Sequence, residues 1–343
     1  MGEFELLAKL RERLPAGGSR VRLGSGDDAA ITVPGGATAT SVDAIVDGVH
    51  FRRGESGLEA IGHKALATAL SDLAAMGAEA GEAYVVLGAP EDLGEDELLA
   101  LLDGMLEVAK ATGTTLAGGD LTRAPALTLA VTVVGHAQDA EAFVSRGGAH
   151  PGDLVVLSGE VGGAAAGRLL LDDPELAESV PATVAEDLRR RQLEPSPRLR
   201  SGRALAEAGA TAMIDVSDGL AGDAAHVAEA SGIALAIEAG SLPLAAGVAE
   251  VAAATGLEPL QLATAGGEDY ELLATLPPQA LDDAAARVAA TGETGLTAIG
   301  EVEAGEGVEI RLPGGGRLEA PGYDHFAAPR RESRSEARER RGD

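Results

Sequence analysis

The sequence predicts an α/β (α+β) protein of two domains, and three observations carry that expectation. Its 343 residues are about two domains' worth of chain. Apolar residues make up 45% of it, enough for a sizeable core, which excludes wholesale disorder. Short apolar or alternating runs then interleave with Ala- and Leu-rich stretches of helical period, the pattern of strands separated by helices.

Residues 3–14 read as a short helix with Phe4, Leu7, Leu10 and Leu14 on one side. Thr38–Val42 reads as a strand, Leu58–Met76 as an Ala-rich helix stopped at Gly77, Ala83–Gly88 as a strand, Glu95–Ala111 as a helix and Thr114–Ala117 as a strand. Leu127–Val134 sets Thr128 and Thr132 among apolar residues, the period-two signature of a strand with one wetter face. The Gly-, Arg- and Pro-rich stretch Val144–Asp153 is a linker. A second unit follows, with strands at Leu154–Leu157, Thr211–Ile214, Ile233–Ile237, Tyr270–Leu276, Leu296–Ile299 and Val308–Leu312, and helices at Gly162–Leu171, Arg198–Ala208 and Leu220–Ser231. The division is thus 1–137 and 138–326, with 327–343 a charged tail that has no core residues and is expected to be disordered.

Composition removes several functions. Runs such as Ala83–Ala89 and Leu129–Val134 are far too short to span a bilayer, and Met1–Arg13 mixes charges where a signal peptide would not. With no cysteine, disulfides, thiolate metal sites and thiol nucleophiles are excluded, and a cytoplasmic setting is expected. Fifty-five carboxylates against 27 basic residues give a net charge of −28, a surface that repels nucleic acid and anionic membranes. Lysine occurs only at 9, 64 and 110. A protein of this composition that handles phosphate must rely on arginine, backbone amides or bound metal.

Most of the acids sit in polar stretches that solvation explains, but a subset does not. Asp43 follows the strand TATSV, Asp47 follows Ile45–Val46, and Asp72 lies in ALATALSDLAAMGA beside little that is polar except Thr68 and Ser71. Asp215 ends the strand TAMI with Asp218 three residues on, Asp120 follows Gly118–Gly119 after a strand, and Asp27 and Asp28 adjoin in a Gly/Ser loop. An ionised carboxylate in apolar surroundings is costly unless paired or metal-bound. Strand ends are where α/β folds gather ligand sites, and an oxygen-only set suits Mg2+ or a similar hard ion. For any single Asp a helix N-cap is the plainer explanation, Asp218 before Gly219–Leu220 above all.

The turns LAGGDL and AGGEDYEL let backbone approach a ligand closely, while SGEVGGAAAG (158–167) is either an anion site or a tight turn. No Gly-Lys pair exists, which excludes a P-loop, and the protein-kinase signatures are missing. The six histidines have no zinc spacing. His50 and His325 each abut scarce aromatics, in His50–Phe51 and Tyr323–Asp324–His325–Phe326, where a cationic ring would find a face or the rings simply fill core gaps.

GDDAA (26–30), SVDAIVDGVHF (41–51), SDLAAMGA (71–78), AGGDLTR (117–123), SRGGAHPGD (145–153), DVSDGL (215–220), GGEDYEL (266–272) and GYDHF (322–326) occur in this order. Together they resemble the thiamine-monophosphate kinase family, within the superfamily of aminoimidazole ribonucleotide and selenophosphate synthetases. The resemblance spans residues 1 to about 326. It implies ATP-dependent phosphorylation of thiamine monophosphate to thiamine diphosphate by a homodimer whose N-terminal mixed sheets join in a barrel at the dimer interface. It implies that Asp27, Ser41, Asp43, Asp72, Asp120 and Asp215 hold several Mg2+ ions, with the Val42 carbonyl and Asp218 adding contacts, and that Asp43, Asp72 and Asp120 are the catalytic acids. Gly119, Asp120, Arg146 and Ser217 would contact ATP, and His50, Glu268 and Tyr323 thiamine monophosphate. Ala69 stands where family members often carry Asn.

The residues and the resemblance agree on mechanism. A substrate phosphate oxygen is already ionised at neutral pH and needs no general base, so catalysis becomes alignment plus charge neutralisation. The rivals are a sister synthetase of the same superfamily and a catalytically silent nucleotide-binding dimeric scaffold. Selenophosphate synthetase is disfavoured by the lack of cysteine, the aminoimidazole activity by His50–Phe51 and GYDHF, and a scaffold by the retained aspartates.

Overall fold

The computed structural model describes residues 9–14, 18–25 and 29–318. Residues 9–13 are helical (α1), and β1 (Val21–Leu23) pairs antiparallel with β2 (Ile31–Thr32). The first large sheet contains β3 (Ala37–Val46), β4 (Glu79–Ala89), β5 (Thr115–Arg123) and β6 (Thr128–Ala137), in the order β3-β6-β4-β5. It is mixed, because β4 and β5 run parallel while β6 is antiparallel to both its neighbours. It is also open, with β3 and β5 at its edges.

Alternation along these strands sorts the two faces. Leu129, Val131 and Val133 of β6 are buried on the face covered by α2 (Leu58–Ala75), which itself packs on α3 (Glu95–Thr112). Thr38, Thr40, Val42 and Ala44 of β3 are exposed on the opposite face, where Val42 is 66% and Val86 of β4 47% exposed. Two strands outrun their apolar cores. β3 continues because its ladder with β6 runs to Val46 opposite Thr128, and β5 because its ladder with β4 runs to Arg123 opposite Ala89. Asp43 and Asp120 therefore stand inside strands and do not follow them.

The second sheet orders β13 (Arg317–Leu318), β12 (Gly307–Arg311), β9 (Ala234–Glu238), β11 (Leu296–Glu303), β7 (Leu154–Ser158), β10 (Leu272–Leu276) and β8 (Ala212–Asp215). Every ladder in it is antiparallel except β12 with β9. The edge strand β8 and its neighbour β10 are buried at every residue, which is why they read as unbroken apolar runs. Helices α4 (Gly163–Asp172), α6 (Leu199–Glu207) and α7 (Leu220–Ser231) lie where helical period places them. Four others escaped that pattern: α5 (Ala182–Leu193), α8 (Val248–Thr255), α9 (Pro259–Ala265) and α10 (Leu281–Thr291). In α5 only Ala185, Leu188 and Gln192 are buried, too thin a stripe to mark a helix. Among the described residues no helix is long and apolar enough to cross a membrane.

Helix α2 joins the two sheets. From Ile61 to Ala75 every residue but His63 and Asp72 is buried. Its leucines belong to one apolar cluster with Val156, Leu205, Met213 and Leu272 of the second half. A helix apolar nearly all round has neighbours on every side. Three glycines bring those neighbours to backbone contact. A Cβ on Gly62 would stand 1.9 Å from the Leu101 carbonyl oxygen, one on Gly104 of α3 1.8 Å from that of Glu59, and one on Gly202 of α6 2.0 Å from that of Ala74.

In an exposed helix Gly→Ala stabilises by ~1 kcal/mol. Here Gly202→Ala is expected to destabilise by about 1–3 kcal/mol, because α6 must retreat from α2. Urea denaturation reads the sign directly, and an unchanged or raised midpoint would show that the crossing relaxes freely.

Candidate functional site

Between the two sheets lies a cavity of ≈ 330 Å³ lined by Asp43 and Ile45 of β3, Val49 and His50 of the loop after it, Thr68 and Asp72 of α2, Asp215 of β8, Ser217, Asp218, Gly266, Gly267, Glu268 and Tyr270. Five of these are acids drawn from both halves of the chain. Strand pleat directs Asp43 toward α2, and the helix presents Asp72 to the same space. The β8–α7 turn and the 266–270 loop close the far side, zipped together by Glu268 N–H to the Ser217 carbonyl at 2.8 Å and Tyr270 N–H to that of Val216 at 2.9 Å. Glu268 and Tyr270 hold φ of 60° and 49°, left-handed conformations that cost free energy outside glycine.

Small hydroxyls hold the acids in place. Ser41 Oγ donates to Asp72, and Ser71 Oγ donates to Asp215 at 2.7 Å. Burial pushes the Asp72 carboxyl up from its ordinary value, aided by the charge of Asp43 and opposed by Ser41 and Arg146. Burial, then the charge of Asp72, pushes Asp215 up to about 6 against Ser71 and Arg146. Behind them, burial with the charges of Asp215 and Asp218 lifts Asp223 to about 8. Asp223 accepts the Ser217 and Asp218 N–H groups at 3.0 and 3.1 Å, which sets the turn that aims Asp218. Gly219, not Asp218, caps α7, so the N-cap explanation of Asp218 falls away. Tyr270 is buried among these acids, and its phenol is raised well above the usual range, first by burial and then by their charges.

The structure thus gathers Asp43, Asp72, Asp215, Asp218, Ser217, His50 and Glu268 around one space, with Ser41 one hydrogen bond behind and Arg146 close enough to act on two carboxylates. The Val42 side chain points instead to the uncovered sheet face. Gly119 and Asp120 do not line this cavity; both border a second one, of ≈ 310 Å³, beside Leu10 of α1, Leu14 just after it, and Leu98, Leu102 and Met105 of α3. Asp27 and Tyr323 lie outside the described residues. Asp47, one of the anomalous acids, is held by Arg53 Nε at 3.1 Å and is explained as an ion pair. The glycine-rich start of α4 is no free anion site, because Asp269 accepts Gly162 N–H at 2.7 Å and Ala164 N–H at 3.1 Å.

Pattern reasoning passed over Lys64, Gln192 and Asp223. For Lys64 the signal was there, a lone cation within the apolar run of α2, and it is 2% exposed. Gln192, in a polar helix, gave no signal.

The family model for the N-terminal domain of AIR synthase related protein matches residues 26–137, and that for its C-terminal domain matches residues 150–313. The thiamine-monophosphate kinase of Mycobacterium tuberculosis is 40% identical over 280 residues, covering 80% of each chain. The crystal structure of thiamine-monophosphate kinase from Stenotrophomonas maltophilia superposes with a TM-score of 0.79 at 36% identity, over 92% of this chain and 98% of that one. A structure of AaThiL complexed with AMPPCP and TMP superposes with a TM-score of 0.74 at 29% identity, over 95% and 97% of the two chains.

The donor set fits a hard divalent ion. It is all oxygen, and its buried carboxylates raise one another's pKa with Arg146 as the cation that opposes them. Among the described residues no three His or acid side chains form a ready-made cage. An all-oxygen set is the kind Mg2+ takes, alongside waters and substrate phosphate.

The raised carboxyls carry a signed pH dependence. A group whose pKa is higher folded than unfolded adds stability at low pH that is lost as pH rises through its folded value, about 6 for Asp215, 7 for Asp269 and 8 for Asp223. Metal-free protein is therefore expected to melt higher at about pH 5.5 than at about pH 8.5, and Mg2+ to raise Tm more at the higher pH. Scanning fluorimetry at fixed ionic strength checks this; an Mg2+ shift independent of pH would place the ion elsewhere.

Proposed function

The chain belongs to the thiamine-monophosphate kinase family, and on that premise we propose that it transfers the γ-phosphoryl group of ATP to thiamine monophosphate, giving thiamine diphosphate and ADP. The observation that carries this is the inter-sheet cavity in which Asp43, Asp72, Asp215 and Asp218 converge beside His50 and Glu268. The attacking atom is a phosphate oxygen of the substrate, which needs no proton removed, and the cavity's acids are accordingly not arranged as a nucleophile with its base.

The residue roles are those the family resemblance implies, and the convergence of Asp43, Asp72, Asp215 and Asp218 in one cavity supports them. Asp27, Ser41, Asp43, Asp72, Asp120 and Asp215, with the Val42 carbonyl and Asp218, would hold Mg2+ ions. Bound there, Mg2+ neutralises phosphate charge and helps align donor with acceptor. Arg146, Ser217, Gly119 and Asp120 would take ATP, and His50, Glu268 and Tyr323 thiamine monophosphate. Asp43, Asp72 and Asp120 would be the catalytic acids, acting through the Mg2+ they would hold against the charge of the phosphates. Residues 1–137 would form the nucleotide- and metal-binding unit and 138–326 the second domain, with 327–343 a tail outside both.

Asp120 also favours a homodimer. Register aligns Ala44, Ala130, Val86 and Asp120 in one row across the first sheet, on the face that carries exposed Val42 and Val86. A second copy laid on that face would bury its apolar residues and close two open sheets into a barrel, bringing Asp120 to the subunit seam. We place the reaction in the cytoplasm.

The test is ADP release with ATP, Mg2+ and thiamine monophosphate, run beside thiamine and aminoimidazole precursors, with thiamine diphosphate identified by chromatography. Turnover is expected with thiamine monophosphate alone, and none at all would overturn the assignment. Asp72→Asn and Asp120→Asn are each expected to lower kcat by about a hundredfold or more while keeping a cooperative melt. A variant active at either position would remove that residue from the reacting centre.

A further inference from the structure

Lys64 is the buried lysine of this chain, and its environment is specific. Its Nζ donates to the carbonyl oxygens of His50 at 3.3 Å and Gln192 at 3.1 Å, and lies 2.8 Å from Glu268 Oε1. An ammonium group has three protons, so all three find partners within the protein and none is left for a phosphate. The other Glu268 oxygen accepts from Gln192 Nε2. One side chain of α2 therefore ties together the loop after β3, the last turn of α5 and the 266–270 loop, and the second partner of Glu268 comes from the same turn of α5.

Two of those segments carry residues assigned above to thiamine monophosphate. A carboxylate offers about four lone-pair positions, so Glu268, held once on each oxygen, keeps capacity for donors of a ligand in the cavity it lines. Removing Lys64 would leave that carboxylate without its cation in a half-buried position and free the loop to move relative to His50. We propose that Lys64, with Gln192, is a positioning residue for the phosphate acceptor: it fixes Glu268 and the His50 segment at one separation across the cavity. The inference rests on the assignment of Glu268 to that substrate.

The experiment is a double-mutant cycle read as separate KM values. Lys64→Met is expected to raise KM for thiamine monophosphate about tenfold or more, with KM for ATP changed by no more than about twofold. In a Glu268→Gln background the same substitution should add little, because the group it positions is already altered. Glu268→Gln with an unchanged KM would overturn the assignment of Glu268 itself. A raised KM in Glu268→Gln with multiplicative effects in the double variant, or Lys64→Met raising both KM values alike, would leave that assignment standing and reduce Lys64 to a structural lysine. Should Lys64→Met fail to fold, Gln192→Leu takes its place in the cycle. It removes the donor to the other Glu268 oxygen and is expected to give the same selective rise, absent in the Glu268→Gln background; an unchanged KM for thiamine monophosphate would overturn the proposal.

Discussion

Helix α2 lies between two sheets with almost no side turned to water, and the polar groups it carries must find partners from whatever packs against it. Ser71 donates to Asp215 of the second sheet, Asp72 accepts from Ser41 of the first, and Lys64 meets three segments at once. An unpaired polar group at such depth costs free energy, so these bonds also fix how the sheets sit against the helix. The glycine crossings with α3 and α6 act in the same direction, leaving no slack through which a carboxylate could drift. The geometry of the cavity is a consequence of how this helix is buried.

The site's electrostatics follow from a shortage of amines. With one lysine in the interior and its three protons already placed, one of them on Glu268, the aspartates facing the cavity are steadied by serine hydroxyls, backbone amides and the field of Arg146. Those partners orient an acid without cancelling its charge, which is the condition in which a cluster attracts a hard cation. The same economy shows at α4, where the chain closes its own helix start with Asp269.

Much of this was legible in the sequence, and the rest was not for identifiable reasons. Strand centres showed through alternation, but strand ends depend on how far a partner's ladder runs, so Asp43 and Asp120 moved from loop to strand. α5 escaped because only three of its residues are buried. Of the anomalous acids, Asp43, Asp72, Asp215 and Asp218 line the cavity, while Asp47 is paired with Arg53 and Asp120 borders the second cavity; the activity itself came from ordered motifs and from likeness to known kinases. The partners of Lys64 were invisible, because nothing local links residue 64 to residues 192 and 268. Asp120 faces a surface that a single chain leaves uncovered.

The depth of Lys64 also has a practical side. Side-chain amines outside the core stand at Lys9 and Lys110, both before residue 111, because Lys64 is 2% exposed and the sequence holds no later lysine. Immobilisation or labelling through amines would therefore hold every molecule by its first third, leaving the seven-stranded half turned outward and unmodified.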